Sequence, residues 1–179
     1  MIYQDLWGNG EMINKGKRTC SNRYDIVKGF CNNFNGDFSV LDIGANMCYF
    51  GIRLTEDFEN SNVMAFEFNS FDMREKHVKQ HGSDRLIFLK RKLHLSDIKT
   101  MQKYMRFNLI LAMSVLHHMT EDVSDWIREL KSMSDYLIVE YAMEDSKRVN
   151  YGKLFNDNQI IGSGESHLKK GYRRPIVLY

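Results

Sequence analysis

Residues Val40–Gly51 read VLDIGANMCYFG. An apolar strand ends in Asp42-Ile43-Gly44, a polar loop follows, and the loop leads into a helix. Gly44 has no Cβ, so the backbone there allows close approach of a ligand. Asn46 is the residue type that, glycine aside, best tolerates a left-handed conformation. In an open α/β sheet, ligands bind in the crevice beyond the carboxyl ends of the strands. The stretch therefore predicts a strand, a ligand-binding loop and a helix in succession.

Working outward, the same alternation recurs. After Val40, Leu41 and Ile43 come apolar runs at Asn62–Phe68 (NVMAFEF), Leu86–Leu89, Phe107–Met113 (FNLILAM) and Tyr136–Tyr141 (YLIVEY). Continuous apolar runs of this length suit strands buried on both faces, as in a parallel sheet. Helical stretches separate them. The clearest is expected to begin at Thr120 as N-cap, with Glu121 and Asp122 in its first turn, where carboxylates suit the helix dipole. Val123, Trp126, Ile127 and Leu130 then line one face. Strand and helix in alternation mean a doubly wound α/β sheet. Asn158–Ile161 and Pro175–Leu178 are two further strand candidates, expected to form a terminal antiparallel hairpin at the sheet edge, where Pro175 is tolerated.

Ahead of this core, Tyr3 to Asn22 reads as polar and irregular. Val27, Phe30, Cys31 and Phe34 recur at helical spacing, which predicts a helix over Ser21–Phe34. The 179 residues make one ordinary domain, and 43% apolar content is enough for one sizeable core. The expected organisation is a single domain over 1–179, with 1–36 as an N-terminal segment and helix and 37–179 as the α/β core. A net charge of +2 provides no global polycation for nucleic acid. Three cysteines (Cys20, Cys31 and Cys48) without metal spacing fit a reducing compartment rather than a disulfide framework. No run is apolar enough to cross a bilayer, and the amino terminus lacks signal-peptide regions, so a cytoplasmic location is expected.

The second chemical signal is Glu67, at the end of the second core strand. An acid there accepts both hydroxyls of a ribose. Alone, Gly44 also fits a plain turn and Glu67 a solvated strand-end carboxylate; in register on consecutive strands of a βαβ unit they point to a nucleoside ligand. A nicotinamide cofactor would want G-x-G-x-x-G to seat its pyrophosphate on a helix amino terminus. Here only Gly44 and Gly51 are present, and the triplet is missing.

Strand, loop and acid together resemble the class I S-adenosylmethionine (SAM)-dependent methyltransferases, which implies a Rossmann-like, mostly parallel seven-stranded sheet with helices on both faces and a C-terminal antiparallel hairpin. In that family the loop after the first strand holds the methionine part of SAM, and the acid after the second holds the ribose. Asn46 and Cys48 stand near places where the family commonly has glycine.

A narrower resemblance runs nearly end to end, to the methyltransferase domain of bacterial O-antigen chain-terminating enzymes, which methylate a terminal phosphate on a polysaccharide. It is carried by Ile2-Tyr3-Gln4, Gly8, Cys20, Arg23 and Asp25; by Phe107-Asn108-Leu109 with Ser114-Val115 and His117-His118; and by Ile161-Gly162, Ser166-His167-Leu168 and Arg174-Pro175. The closing Gly171–Tyr179 is also similar to RNA 5′-phosphate capping methyltransferases.

The resemblance implies that Tyr3 and Arg23 close over SAM, with the Arg23 guanidinium suited to the methionine carboxylate. It places Leu93 against the adenine. Asp42, Gly44, Asn46, Glu67, Phe68, Met113 and Ser114 complete the expected cofactor site. Larger family members carry a kinase and a coiled-coil extension after this domain, so a separate kinase or glycan-assembly protein is an expected partner. The loop between Tyr141 and Ile160 looks shorter than the family's, which bears on the acceptor pocket.

A phosphate oxygen is already anionic at neutral pH, so methylating it requires alignment and cations rather than a strong base. The candidates are His167, Lys169, Lys170, Arg173 and Arg174, with a second basic cluster at Lys15, Lys17 and Arg18. Arg174, His167 and His117 are the expected catalytic residues, His117 being favoured over His118. His117, His118, Glu121 and Asp122 lack metal-ligand spacing, and no metal is expected. The acceptor expected is a phosphorylated glycan or small molecule; RNA is the second reading, and a non-catalytic SAM-binding protein the third.

Overall fold

The computed structural model describes residues 2–69, 71–143, 154–156 and 159–179. The chain divides into two compact units, Met1–Lys92 and Leu93–Tyr179.

The first unit opens with β1 (Leu6–Gly8) and β2 (Glu11–Asn14), an antiparallel pair. This corrects the expectation of an irregular segment. The turn is Asn9-Gly10, with φ of 55° and 78°, the pairing that two-residue hairpins favour because both positions are left-handed. The hairpin is seated on α2 (Tyr49–Asp57): Trp7 Nε1 donates to Glu56 at 2.5 Å, and the Arg53 guanidinium lies 4.0 Å from the Trp7 ring centroid.

Helix α1 (Ser21–Cys31) buries Arg23, Tyr24, Val27 and Cys31. It stops short of the expected Phe34, because the chain turns with Asn33 and Phe34 amides donating to Phe30 and Cys31 carbonyls. Phe34 instead stacks on Phe38 with ring centroids 4.8 Å apart. Then follow β3 (Phe38–Ile43), α2, β4 (Ser61–Glu67), α3 (Phe71–His81) and β5 (Leu86–Lys90). The three strands are parallel in the order β5-β4-β3, with Val40 beside Val63 and Val63 beside Leu86. Ala45, Cys48, Ile52, Ala65 and Val78 make a buried cluster against which Trp7, Leu86 and Phe88 pack.

The second unit contains α4 (Leu95–Met101), β6 (Phe107–Met113), a 3₁₀ turn at Leu116–His118, α5 (Val123–Ser132), β7 (Ser134–Glu140), β8 (Ile160–Glu165) and β9 (Arg173–Leu178). β6 and β7 are parallel, and β9 runs antiparallel to both β7 and β8. Strands β3 to β9 make up a mostly parallel seven-stranded sheet with a C-terminal antiparallel hairpin, as expected.

Three local expectations are corrected. Helix α5 is capped by Asp122, whose carboxylate accepts the Ser124 amide at 2.7 Å, and not by Thr120. Glu121 instead accepts the Trp126 indole N–H at 3.3 Å, which holds it ahead of the helix. Pro175 is not on an edge strand, because β9 lies between β7 and β8. Its missing N–H is tolerated because the ladder to β7 ends at Ile176, so Pro175 lies one residue beyond it, while its carbonyl accepts the Tyr141 amide at 3.0 Å. The β8 strand starts later than predicted; Asn158 and most of the Tyr141–Ile160 loop lie outside the described residues. Among the described residues no helix is long and apolar enough to cross a membrane.

Candidate active site

The loop after β3 has the backbone that its sequence suggests. Gly44, Asn46 and Cys48 have φ of 71°, 53° and 57°, an alternation of left-handed positions that folds the chain back before α2 begins. The Gly44 and Ala45 amides both donate to the Phe66 carbonyl, at 2.9 and 3.0 Å, tying the loop to the end of β4. The Asn46 amide donates to Glu67 Oε2 at 2.8 Å, and the Met47 amide to Gln4 Oε1 at 3.0 Å. The loop is thus held by one acid from β4 and one amide from the N-terminal segment.

Glu67 is buried, with 8% exposure, and its carboxylate is fully engaged. Oε1 accepts the Phe68 and Asn69 amides at 2.7 and 2.8 Å, and Oε2 accepts Arg74 Nη1 at 2.9 Å as well as Asn46. Phe68 itself is half-exposed. Asp42, two residues before Gly44, is buried, and its Oδ2 has no hydrogen-bond partner. Burial and then the neighbouring Glu67 charge push its carboxyl up to about 7, with Arg18 opposing them.

The N-terminal segment is built around buried polar side chains. Asp5 accepts the Gly16 amide on Oδ1 at 2.8 Å and the Cys20 amide on Oδ2 at 2.7 Å. Gly16 packs against the Gln4 carbonyl so closely that a Cβ there would collide with it. Arg18 pairs through its amide with the Tyr3 carbonyl at 2.8 Å, and its side chain is buried. It therefore leaves the surface cluster expected with Lys15 and Lys17, which are exposed. Arg23 is also buried and donates to the Thr19 carbonyl, within its own segment. Gln4 and Asp5 were missing from the expected site, and Arg18 was expected only in the second basic cluster. They belong to a stretch without hydrophobic periodicity, so only their contacts reveal that they are inside.

In the second unit the end of β6 carries another buried polar group. Ser114 has φ of 57°; its hydroxyl donates to Glu140 Oε2 at 2.6 Å and accepts from Arg174 Nη1 at 3.0 Å. All three residues are buried, as are Met113 and Leu93. Glu140 was not among the expected site residues; its signal is an acid closing the apolar run YLIVE. Of the two adjacent histidines, His117 is half-buried and His118 exposed, their rings 3.8 Å apart by centroid. His167 is half-buried in the β8–β9 connection, and Lys169 and Lys170 are exposed. Arg173 is taken up by Ser163, to whose hydroxyl it donates at 2.7 Å. Among the described residues there is no group of three or more His, Cys, Asp or Glu placed to hold a metal ion.

The structure thus gathers Asp42, Gly44, Asn46 and Glu67 at the carboxyl ends of β3 and β4, and Met113, Ser114, Glu140 and Arg174 at the corresponding ends of β6 and β7. A left-handed loop beside a buried strand-end acid fits a nucleoside cofactor without phosphate, because the loop amides already have protein acceptors and form no anion cradle.

No protein-family model matches the sequence, and no curated protein matches it significantly. Solved structures do match. The bifunctional kinase–methyltransferase WbdD superposes over 99% of this chain with a TM-score of 0.72 at 18% identity, and the chain spans 43% of WbdD's length. The N-terminal domain of EvdMO1, solved with bound S-adenosylhomocysteine (SAH), matches over 99% of this chain and 89% of its own, with a TM-score of 0.65 and 11% identity. The magnesium protoporphyrin IX methyltransferase ChlM of Synechocystis PCC 6803, also with bound SAH, matches over 88% and 81%, with a TM-score of 0.57 and 19% identity. The chain has, nearly end to end, the Rossmann-like fold of the SAM-dependent methyltransferases.

Proposed function

We propose that the chain is a SAM-dependent methyltransferase whose acceptor is a terminal phosphate, or failing that a hydroxyl, of a glycan or glycolipid. The observation that carries the cofactor assignment is the left-handed Gly44–Asn46–Cys48 loop hydrogen-bonded to the buried strand-end acid Glu67. The fold it shares with SAH-bound methyltransferases supports the same cofactor. The fold matches 564 solved chains, so it does not by itself select an acceptor. The phosphate reading rests on the sequence resemblance and on the likeness to a kinase–methyltransferase.

When bound, SAM supplies a methyl group on a sulfonium; an acceptor oxygen forms the new O–CH₃ bond as the S–CH₃ bond breaks, releasing SAH. In this reading Glu67 holds the ribose, Gly44 and Asn46 shape the methionine end, and Tyr3 and Arg23 belong to the segment over the cofactor. Leu93, Phe68 and Met113 contribute apolar surface. His117, His167 and Arg174 orient the acceptor. The Ser114 hydroxyl, shared between Glu140 and Arg174, fixes the guanidinium in a single position. An anionic phosphate oxygen needs such positioning more than it needs a base. The single-domain organisation, with residues 1–36 over the cofactor, is part of the same proposal.

The test is methyl-labelled SAM with purified protein and three acceptor sets: phosphorylated sugars, their unphosphorylated counterparts and 5′-phosphorylated RNA. Label on the phosphorylated sugars alone is the expected result. Label on RNA alone would replace the acceptor, and SAH formation with none of them would remove the phosphate reading.

A further inference from the structure

We infer that Arg74 is a latch on the ribose site, an ion pair on Glu67 that the cofactor must open, so that Arg74 sets the protein's affinity for SAM and SAH. The inference rests on the reading of Glu67 as the ribose-binding acid.

An ionised carboxylate offers about four lone-pair positions to donors. On Glu67 four donors fill them: the Phe68 and Asn69 amides on Oε1, and the Asn46 amide with Arg74 Nη1 on Oε2. Two ribose hydroxyls therefore meet an acid with no vacancy, and at least one donor has to yield. Three of the four are main-chain amides of the β3 loop and the β4–α3 connection, whose positions are set by the backbone. Arg74 is the one side chain. It is the fourth residue of α3, and a change of its rotamers withdraws it without moving the helix.

The pair is consequential because it is sheltered. The Glu67 and Arg74 side chains are 9% and 12% exposed, so water and salt screen them less than a surface pair. In the ion pair both partners are charged, whereas in the bond that a hydroxyl offers in exchange only the carboxylate is, so the guanidinium is the stronger donor. Binding the ribose thus trades a strong donor for weaker ones, and that difference is subtracted from cofactor affinity. With Arg74 absent, three amides still orient Glu67, and the hydroxyls find an acceptor position open.

The experiment is calorimetric titration of SAH into the wild type, Arg74→Met, Arg74→Gln and Glu67→Ala. Methionine keeps the aliphatic bulk of the stem and removes the donor. The expected result is binding by Arg74→Met that is tighter by about tenfold, the scale of one hydrogen bond to a charged group. Unchanged or weaker binding by a folded Arg74→Met overturns the latch and makes Arg74 a support for Glu67. If that variant does not fold, Arg74→Gln, which also removes the charge, decides, and unchanged or weaker binding by it overturns the inference. Wild-type binding that survives Glu67→Ala unchanged removes the ribose role of Glu67 and the latch with it. Absence of SAH binding in both wild type and Arg74→Met means instead that the cofactor reading itself has failed.

Discussion

Asp42 shows how a single buried carboxyl links the site to stability. Its side chain is buried beside Glu67, one oxygen has no hydrogen-bond partner, and its carboxyl is pushed from 3.8 to about 7. The folded state therefore holds this proton at a pH where the unfolded chain has released it. The contribution to stability is complete below 3.8, and it is lost as pH rises through about 7. Asparagine is nearly isosteric and has no proton to lose. Denaturant unfolding of wild type and Asp42→Asn between these pH values should show the variant gaining steadily on the wild type as pH rises. Parallel stability curves would mean that Asp42 ionises in the native state without penalty. Asp42, Gly44, Asn46 and Glu67 were all legible from their places at strand ends, because strand-end position follows from where an apolar run stops. The engagement of Glu67 by Arg74 was not, since six residues lie between them and α3 gives no sign of which side chain turns inward.

At the level of elements, local sequence chemistry decided most boundaries and erred where two residues compete for one role. Thr120 and Asp122 both suit an N-cap. The structure selects Asp122, whose carboxylate meets the Ser124 amide, while Glu121 is drawn toward the Trp126 indole. Asp122→Ala should therefore lower stability, seen as a fall of roughly 2–4 °C in melting temperature for a chain of this size. Thr120→Ala should leave it within about 0.5 kcal/mol. Thermal unfolding of the two variants checks the assignment, and the reverse ranking would restore Thr120 as the cap. The β1–β2 hairpin has the same lesson in it. Asn9-Gly10 is a strong turn signal, but its strands are only three and four residues long, with β2 exposed throughout. So short a hairpin has no alternation to read, and it is held by Trp7 against Glu56 and Arg53 on α2.

For the whole molecule, the three cysteines serve as built-in reporters. Cys20, Cys31 and Cys48 are buried and unpaired with one another, and all lie in the first compact unit. Burial pushes the thiols of Cys20 and Cys31 up to about 11 and about 12, and that of Cys48 well above its ordinary value. A thiol reagent at neutral pH should label none of them in the native protein and all three in denaturant. Any labelling under native conditions then measures opening of the structure. A ligand at 100 times its dissociation constant stabilises the folded state by about 2.7 kcal/mol, so saturating SAH should slow labelling through global opening by about 100-fold. Rapid labelling of the native protein, or labelling indifferent to SAH, would contradict the burial or the cofactor assignment respectively.

The sequence alone determined the order of strands and helices in the core, the loop after β3 and the acid ending β4. These features are written in contiguous residues, as apolar runs, a glycine and a terminal carboxylate, and contiguous patterns survive without knowledge of the partners. Tertiary structure alone decided which polar side chains are buried beside these features and how they are engaged. Arg18 joins the interior instead of a surface cluster, Gln4 grips the loop at Met47, Arg74 occupies Glu67, and Glu140 meets Arg174 through Ser114. Strand β9 likewise enters between β7 and β8, carrying Pro175 into the sheet. Each of these depends on distances between residues far apart in the chain, or on the rotamer of a buried polar group. The free energy of such a contact belongs to the folded geometry and has no local signature in the sequence.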